Sequence, residues 1–410
     1  MRDRLALLSD LDQNDTEVLE KLASEGRAWI VGGWIRDGLI IEGKRELDIA
    51  TDIPPEDVVK IFPNSLTHGA KYGTVVVRIP GSDSEWEVTT LRTESEYNDG
   101  RRPDVVNFGT GIMEDLSRRD FTVNAMAVSY PDGEFIDPFG GLSDLDSKII
   151  RAVGSASERF SEDGLRILRA YRFVAVSEGW EIEEETEAGL GDSLQMLDSV
   201  SAERIGTEFR KMLELPGSGR SISIMAEQGA LQKILPGSRP PENYSPTGKL
   251  AVDLAVMFSN GGVSKEEAVL RSRQGLKATN AEISSLELLM GIEPETSLIS
   301  VEEVRRFHAA ISPPQREDVL DYLEVIGHSR RQYVDAVEQP DNRGHALIDG
   351  RMLAAETLLQ PGVRLGRLKD FLYRMQIERG LSDRSEILGL ISEIDWENED
   401  PSSWPKMTWP

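Results

Sequence analysis

Three carboxylates set the first question. Glu46 and Asp48 are separated by one residue in Glu46-Leu47-Asp48-Ile49-Ala50-Thr51, whose apolar residues predict a strand. Alternation along a strand puts both acids on one face. Glu87 lies on a second predicted strand, between Trp86 and Val88. Three acids converging from two strands suit a pair of magnesium ions in phosphoryl transfer. An acid pair alone is also what a wet strand edge carries, so the surroundings decide.

Thirteen residues before Glu46 stands Gly32-Gly33, at a predicted strand-to-helix turn. Glycines there let backbone amides approach a triphosphate, and a helix N-terminus adds partial positive charge. Arg36 and Asp37 follow on the helix. Further on, Asp163, Arg166, Arg169 and Arg172 recur every three residues, with Glu162 beside them. Helical spacing predicts one charged face, with Asp163 and Arg166 side by side. That series alone would also describe a solvated face.

The elements that must position these groups are legible in outline. Ala28-Trp29-Ile30-Val31 reads as a strand, Trp34 to Ile41 as a short helix and Leu47 to Ala50 as a second strand. Gly73 to Arg78 and Trp86 to Leu91 read as two more, joined by the turn residues Pro80-Gly81-Ser82-Asp83 into a hairpin. From about residue 156 the periodicity becomes helical, over Ser161 to Ala175 and Ser201 to Leu213. The acidic run Glu181 to Glu187 between them reads as a solvated face or loop. Pro216-Gly217-Ser218-Gly219 is a boundary signal, and Pro236 to Asn243 and Gly261-Gly262 read as loops.

Composition narrows the class. The chain has 410 residues, 39% hydrophobic, and a net charge of −26. Such a charge argues against nonspecific coating of nucleic acid, though not against a local basic groove. There are no cysteines, which excludes disulfides, thiolate metal sites and cysteine nucleophiles. The four histidines are scattered. No run of about 18 apolar residues predicts a membrane span. The first fourteen residues lack the apolar stretch and cleavage site of a signal peptide, so a cytoplasmic location is the expectation.

Taken in order, the motifs are Val31-Gly32-Gly33-Trp34-Ile35-Arg36-Asp37, Glu46 to Thr51, Glu87 to Arg92, Arg101 to Asp104, Arg118 to Ala127, Asp137 to Gly141 and Glu162 to Arg166. This series resembles the class II tRNA nucleotidyltransferase and bacterial poly(A) polymerase family over residues 28–212. The resemblance implies an α+β fold: a polymerase-beta-type nucleotidyltransferase head with a small mixed sheet, then an all-helical neck and body. The expected division is a catalytic head over 1–145, a base-reading neck over 146–215, and a helical, tRNA-binding body and tail over 216–410.

The resemblance further implies template-independent addition of C, C and A to tRNA 3′ ends from CTP and ATP, with Mg²⁺. Glu46 and Asp48 are the implied metal ligands, and Glu87 assists them or takes the attacking hydroxyl's proton. The implied nucleotide-binding residues are Gly32, Gly33, Arg36, Arg119, Asp120, Asn124, Asp163, Arg166, Arg169 and Arg172. Phe121 and Val123 read as core. Asp163 and Arg166 are the implied base readers. A carboxylate acceptor beside a guanidinium donor complements the edge of cytosine or adenine and mismatches uracil or guanine. The family's first metal position is usually Asp, so Glu46 is a departure that bears on rate or metal preference. The polar segment Arg92 to Phe108 matches the family's mobile loop for the change from C to A.

A terminal A alone or a poly(A) tail would use the same head. Thr67 to Val77 resembles the tRNA enzymes, and the basic segment of proteobacterial poly(A) polymerases is missing. Both favour full CCA addition. A tRNA-binding protein without catalysis would rest on Glu46 alone.

Overall fold

A computed structural model describes residues 4–40, 46–95, 105–108, 111–339 and 344–410. They form two compact units, Met1–Ile234 and Leu235–Pro410. The mixed sheet with helices, followed by helical structure, is the α+β class that the sequence predicts.

Unit 1 opens with helix α1 (Gln13–Glu25), capped at both backbone and side chain by Asp12 and Asp15. Strand β1 (Ala28–Val31) leads through Gly32 into α2 (Gly33–Ile40), then β2 (Asp48–Thr51) and α3 (Pro55–Ile61). The hairpin β3 (Thr74–Val77) and β4 (Trp86–Thr90) follows, with Thr74 opposite Thr89 and Val77 opposite Trp86. Strands β5 (Arg92–Ser95) and β6 (Val105–Phe108) pair antiparallel as a separate ribbon. Helix α4 (Ile112–Ser117), β7 (Ala127–Tyr130), β8 (Phe135–Ile136) and α5 (Gly141–Ser147) complete the sheet region.

The main sheet runs β3-β4-β2-β1-β7-β8. Only β2 and β4 are parallel, and their register sets Asp48 opposite Glu87. All of β1 is buried, as expected of a strand flanked on both sides and covered on both faces. Trp29, Val31, Ala50, Leu91, Leu116 and Ala127 form one apolar cluster. Each such buried side chain contributes about 1.5–3 kcal/mol when large, enough to hold the strand ends that carry the acids.

The sequence-predicted strand over 46–51 begins later than expected. Glu46 and Leu47 precede β2, but burial still alternates over Glu46, Leu47 and Asp48, and both acids face the same cleft. Most of the implied C-to-A loop, including the Arg101 to Asp104 motif, lies outside the described residues.

The helical run is not one helix. Strand β9 (Ile149–Ile150) is followed by α6 (Ala156–Glu162), α7 (Leu165–Val174), β10 (Glu181–Ile182), α8 (Glu184–Asp192), α9 (Ala202–Leu213), α10 (Ser218–Glu227) and α11 (Ala230–Ile234). The acidic run is therefore a strand end and a helix start. Glu183 caps α8 by accepting from the Thr186 amide, and carboxylates there suit the helix dipole. The short parallel pair β9–β10 is the one departure from an all-helical neck among the described residues.

Unit 2 contains α12 (Leu250–Asn260), α13 (Lys265–Leu276), α14 (Asn280–Leu289), α15 (Val301–Ala310), α16 (Pro313–Val325), α17 (Arg331–Ala336), α18 (Gly350–Thr357), α19 (Val363–Arg379) and α20 (Arg384–Gly389). Its later core gathers Leu353, Leu365, Leu368, Leu372, Ile387 and Trp404.

Candidate active site

All thirteen sequence-predicted site residues line one cleft of about 820 Å³ in unit 1. Its floor is the edge of the sheet where β1 ends and β2 and β4 begin. Asp48 begins β2, and Glu87 is its parallel neighbour on β4. Trp86 and Val88 on either side of Glu87 point inward and are buried, so alternation turns Glu87 outward. Burial, then repulsion by Glu87 and Glu46, pushes the Asp48 carboxyl up to about 6 despite Arg119 and Arg36.

The turn before α2 sits against that floor. Gly32 adopts φ +69°, which favours glycine. A Cβ there would lie 3.0 Å from Arg119 Nη1 and 3.4 Å from Asp48 Oδ2. The glycine thus brings backbone, cation and acid together. On α2, Arg36 grips Asp37 at 2.7 and 2.9 Å and donates to Asn124 Oδ1 at 2.6 Å.

The wall after α4 is a set of charge pairs. Buried Asp115 receives Arg118 and, at 3.1 Å, Arg119. Burial alone would raise the Asp115 carboxyl, but the two guanidiniums outweigh it and hold it low. Asp120 is also buried. Its Oδ2 accepts from Arg169 Nε at 2.6 Å, and its Oδ1 accepts from the Phe121 and Asn124 nitrogens at 2.9 Å each. Burial opposes its ionisation, yet Arg169 and these bonds hold its carboxyl well below the usual range. Phe121 and Val123 are fully buried, as their sequence reading has it.

Asp163 and Arg166 do not share a single helix face, contrary to what their spacing predicts. Asp163 lies in the break between α6 and α7, at φ −150° and ψ 104°. Gly164 follows the break, packed so closely that a Cβ there would be 2.3 Å from the Met196 carbonyl oxygen, and no side chain fits. Asp163 instead meets Arg204 of α9 at 2.6 and 3.1 Å. Arg166 donates to Glu162 at 2.6 Å and to the Arg159 and Arg118 carbonyls at 3.0 and 2.9 Å. Arg166, Arg169 and Arg172 do keep their helical series on α7. Arg172 pairs with Glu208 of α9 at 2.6 Å. The guanidiniums of Arg36, Arg169 and Arg172 lie 4.8, 5.6 and 4.7 Å from the Phe173 ring centre.

Sequence reasoning missed Asp115, Phe173, Arg204 and Glu208. Arg204 and Glu208 are four apart on α9, a spacing visible in the sequence but shared by any charged helix face.

Among the described residues, no three acidic or histidine side chains converge as a ready-made metal site. The donor chemistry nonetheless fits a divalent cation. Asp48 and Glu87 are adjacent hard oxygen donors, and their mutual repulsion is what a cation would relieve.

Residues 28–151 match the family described as the poly A polymerase head domain. Residues 179–240 match a probable RNA and SrmB-binding site of polymerase A. The CCA-adding enzyme of Lactococcus lactis is 33% identical over 92% of this chain and 95% of its own length. The chain belongs to the CCA-adding enzyme family. The CCA-adding enzyme of Streptococcus sanguinis is 42% identical over 89% of this chain and 93% of its own. The crystal structure of the Bacillus stearothermophilus CCA-adding enzyme in complex with CTP aligns with a TM-score of 0.73. It is 27% identical and covers 96% of this chain and 98% of that one. CCA-adding enzymes are nucleotidyltransferases, generally metal-dependent. Among the described residues, no helix is long and apolar enough to cross a membrane.

Proposed function

We propose that this chain completes tRNA 3′ ends with C, C and A from CTP and ATP, without a nucleic-acid template. One observation carries the reading. A single cleft joins an adjacent carboxylate pair, a glycine turn at a helix start and an arginine-lined wall that includes an aspartate–arginine pair. The whole-length relatives are CCA-adding enzymes, which favours CCA addition over A-only or poly(A) synthesis.

In this reading the primer's 3′-hydroxyl attacks the α-phosphorus in line. A new P–O bond forms, the bond to the bridging oxygen breaks, and pyrophosphate leaves. Glu87, exposed beside Asp48, orients the hydroxyl and accepts its proton. Glu46 and Asp48, with Glu87 nearby, would hold magnesium, which supplies charge neutralisation at the phosphates. Gly32 and Gly33 let the backbone approach the triphosphate. Arg36, Arg119, Arg169 and Arg172 present positive charge to it, with Asp120 and Asn124 bracing them. Asp163 and Arg166 read the base. The proposed division is a catalytic head over 1–145, a base-reading neck over 146–215, and a body over 216–410 that holds tRNA by shape and phosphate contacts. A cytoplasmic setting accords with tRNA as substrate.

The test uses tRNAs lacking the whole CCA end, the final CA or the final A, with labelled CTP or ATP and magnesium. Both nucleotides entering the shortest tRNA, with a stop after three additions, is the expected result. Addition of A alone, or a long homopolymer, would overturn it.

A further inference from the structure

Helix α9 carries charges opposite to those it faces. Arg204 meets Asp163, and one turn later Glu208 meets Arg172. Arg204 lines the same cleft as the proposed base readers. Its contact with Asp163 is two-pronged, Nη2 to Oδ2 at 2.6 Å and Nη1 to Oδ1 at 3.1 Å. A two-pronged contact fixes the plane of a carboxylate as well as its position.

Asp163 needs such a hold. It sits in extended backbone between two helices, tied to α7 by its carbonyl, which accepts from the Arg166 amide at 3.0 Å. Its Oδ1 also accepts from the Leu165 amide at 3.0 Å. A carboxylate has roughly four acceptor directions, two on each oxygen. Leu165 and Arg204 occupy both on Oδ1, and Arg204 occupies one on Oδ2. One direction on Oδ2 is left to meet a base.

We propose that Arg204 is a specificity-positioning residue, which turns Asp163 so that a single acceptor direction faces the nucleotide base. This rests on the base-reading role of Asp163 and Arg166. An amino group, as on cytosine or adenine, satisfies that direction. A carbonyl, as on uracil or guanine, meets it lone pair to lone pair. Without Arg204 the carboxylate turns about its own bonds, and the mismatch is no longer enforced. Arg204 touches no reacting atom and acts only through Asp163.

The test compares wild type, Arg204→Ala, Arg204→Lys and Asp163→Asn in the full chain. Selectivity for CTP over UTP is read twice: as the ratio of kcat/KM on a tRNA lacking CCA, and as the ratio of equilibrium dissociation constants, which needs no turnover. Misplacing a recognition group by about 1 Å costs on the order of a hundredfold, so Arg204→Ala should lower the ratio by at least about tenfold. Arg204→Lys, with one point donor in place of a fork, should fall between. Added guanidinium should restore part of the ratio in Arg204→Ala. A merely structural role would give neither the graded ratio nor the rescue. If Arg204→Ala does not fold, Arg204→Gln carries the comparison. A wild-type ratio in the Arg204 variants alongside relaxed selectivity in Asp163→Asn would overturn the inference alone. A wild-type ratio in Asp163→Asn would overturn the base-reading role and the inference with it.

Discussion

Arg169→Met isolates what the buried pair at the cleft wall is worth. Methionine keeps the apolar stem of Arg169 and removes its guanidinium. Asp120, 8% exposed at its side chain, then faces no cation at hydrogen-bond distance, though the Phe121 and Asn124 donors remain. Removing one partner of a buried pair costs about 3–5 kcal/mol. The carboxyl can escape by taking a proton. From an ordinary value near 3.9 that costs about 4 kcal/mol at pH 7, at about 1.4 kcal/mol per unit. The two routes agree, and the retained hydrogen bonds pull the figure towards about 3 kcal/mol.

The pH dependence has a definite sign. In the wild type, Asp120 is held below its unfolded value, so its contribution is full above about pH 4 and is lost as pH falls further. Between pH 5 and 7 that contribution is constant. In Arg169→Met, burial without a cation raises the carboxyl instead, so the penalty shrinks as pH drops from 7 to 5. Calorimetry of the full chain should show the transition of unit 1 lowered by about 6–12 °C at pH 7, from about 2–4 °C per kcal/mol in a domain of this size. The drop should be smaller at pH 5. A loss below about 1 kcal/mol, typical of an exposed pair, or one independent of pH over that range, would refute the reasoning.

Three further outcomes follow from the same geometry. Asp48 lies above its ordinary range, so its charge opposes folding fully above about pH 6 and not below about 4; Asp48→Asn should therefore gain up to about 3 kcal/mol at pH 7 by melting, while abolishing nucleotide transfer and the stabilisation by added magnesium. A magnesium-induced rise in melting temperature that survives the substitution would remove Asp48 from the cation site. Gly32→Ala places a Cβ 3.0 Å from Arg119 Nη1 at φ +69°; it should cost about 1 kcal/mol and lower kcat/KM for CTP by about tenfold or more, and wild-type kinetics would refute the close approach. In unit 2, Asp253 accepts from Tyr244, twice from Thr247 and from Gly248; Asp253→Ala should cost at least about 3 kcal/mol in urea unfolding, and a neutral result would mean that water replaces those bonds.

What the sequence could express was local. The run Ala28 to Val31, the glycine pair and the apolar helix after it are neighbours in the chain, and their order alone predicts strand, turn and helix. The hairpin of β3 and β4 was legible for the same reason, since four turn residues separate two alternating runs. The break at Asp163 was not. Gly164 has ordinary helical angles, and what excludes a side chain there is the carbonyl of Met196, thirty-two residues on. No periodicity within residues 161–175 carries that contact. The adjacency of Asp48 and Glu87 was likewise invisible as register, because a crossover containing α3 and β3 intervenes. The site residues could be named from motif order, but their partners Asp115, Arg204 and Glu208 could not.

Those partners bear on how so acidic a chain would hold a polyanion. With a net charge of −26, the long-range field repels nucleotide and RNA alike. Attraction must be local, so the arginines have to be fixed before the ligand arrives. Arg36 is held by Asp37 on its own helix, and each of Arg119, Arg166, Arg169 and Arg172 by a carboxylate on the wall or on a neighbouring helix. A bare cluster of that many guanidiniums would splay apart by mutual repulsion. Pairing removes the repulsion and leaves other N–H groups of each fork free to point into the cleft. Donors already in place need no rearrangement when charge develops on a triphosphate, which is the condition under which electrostatic stabilisation counts most. The acids at the cleft therefore do opposite things by position: those on the floor are left unbalanced for a cation, and those on the wall are spent on arginines.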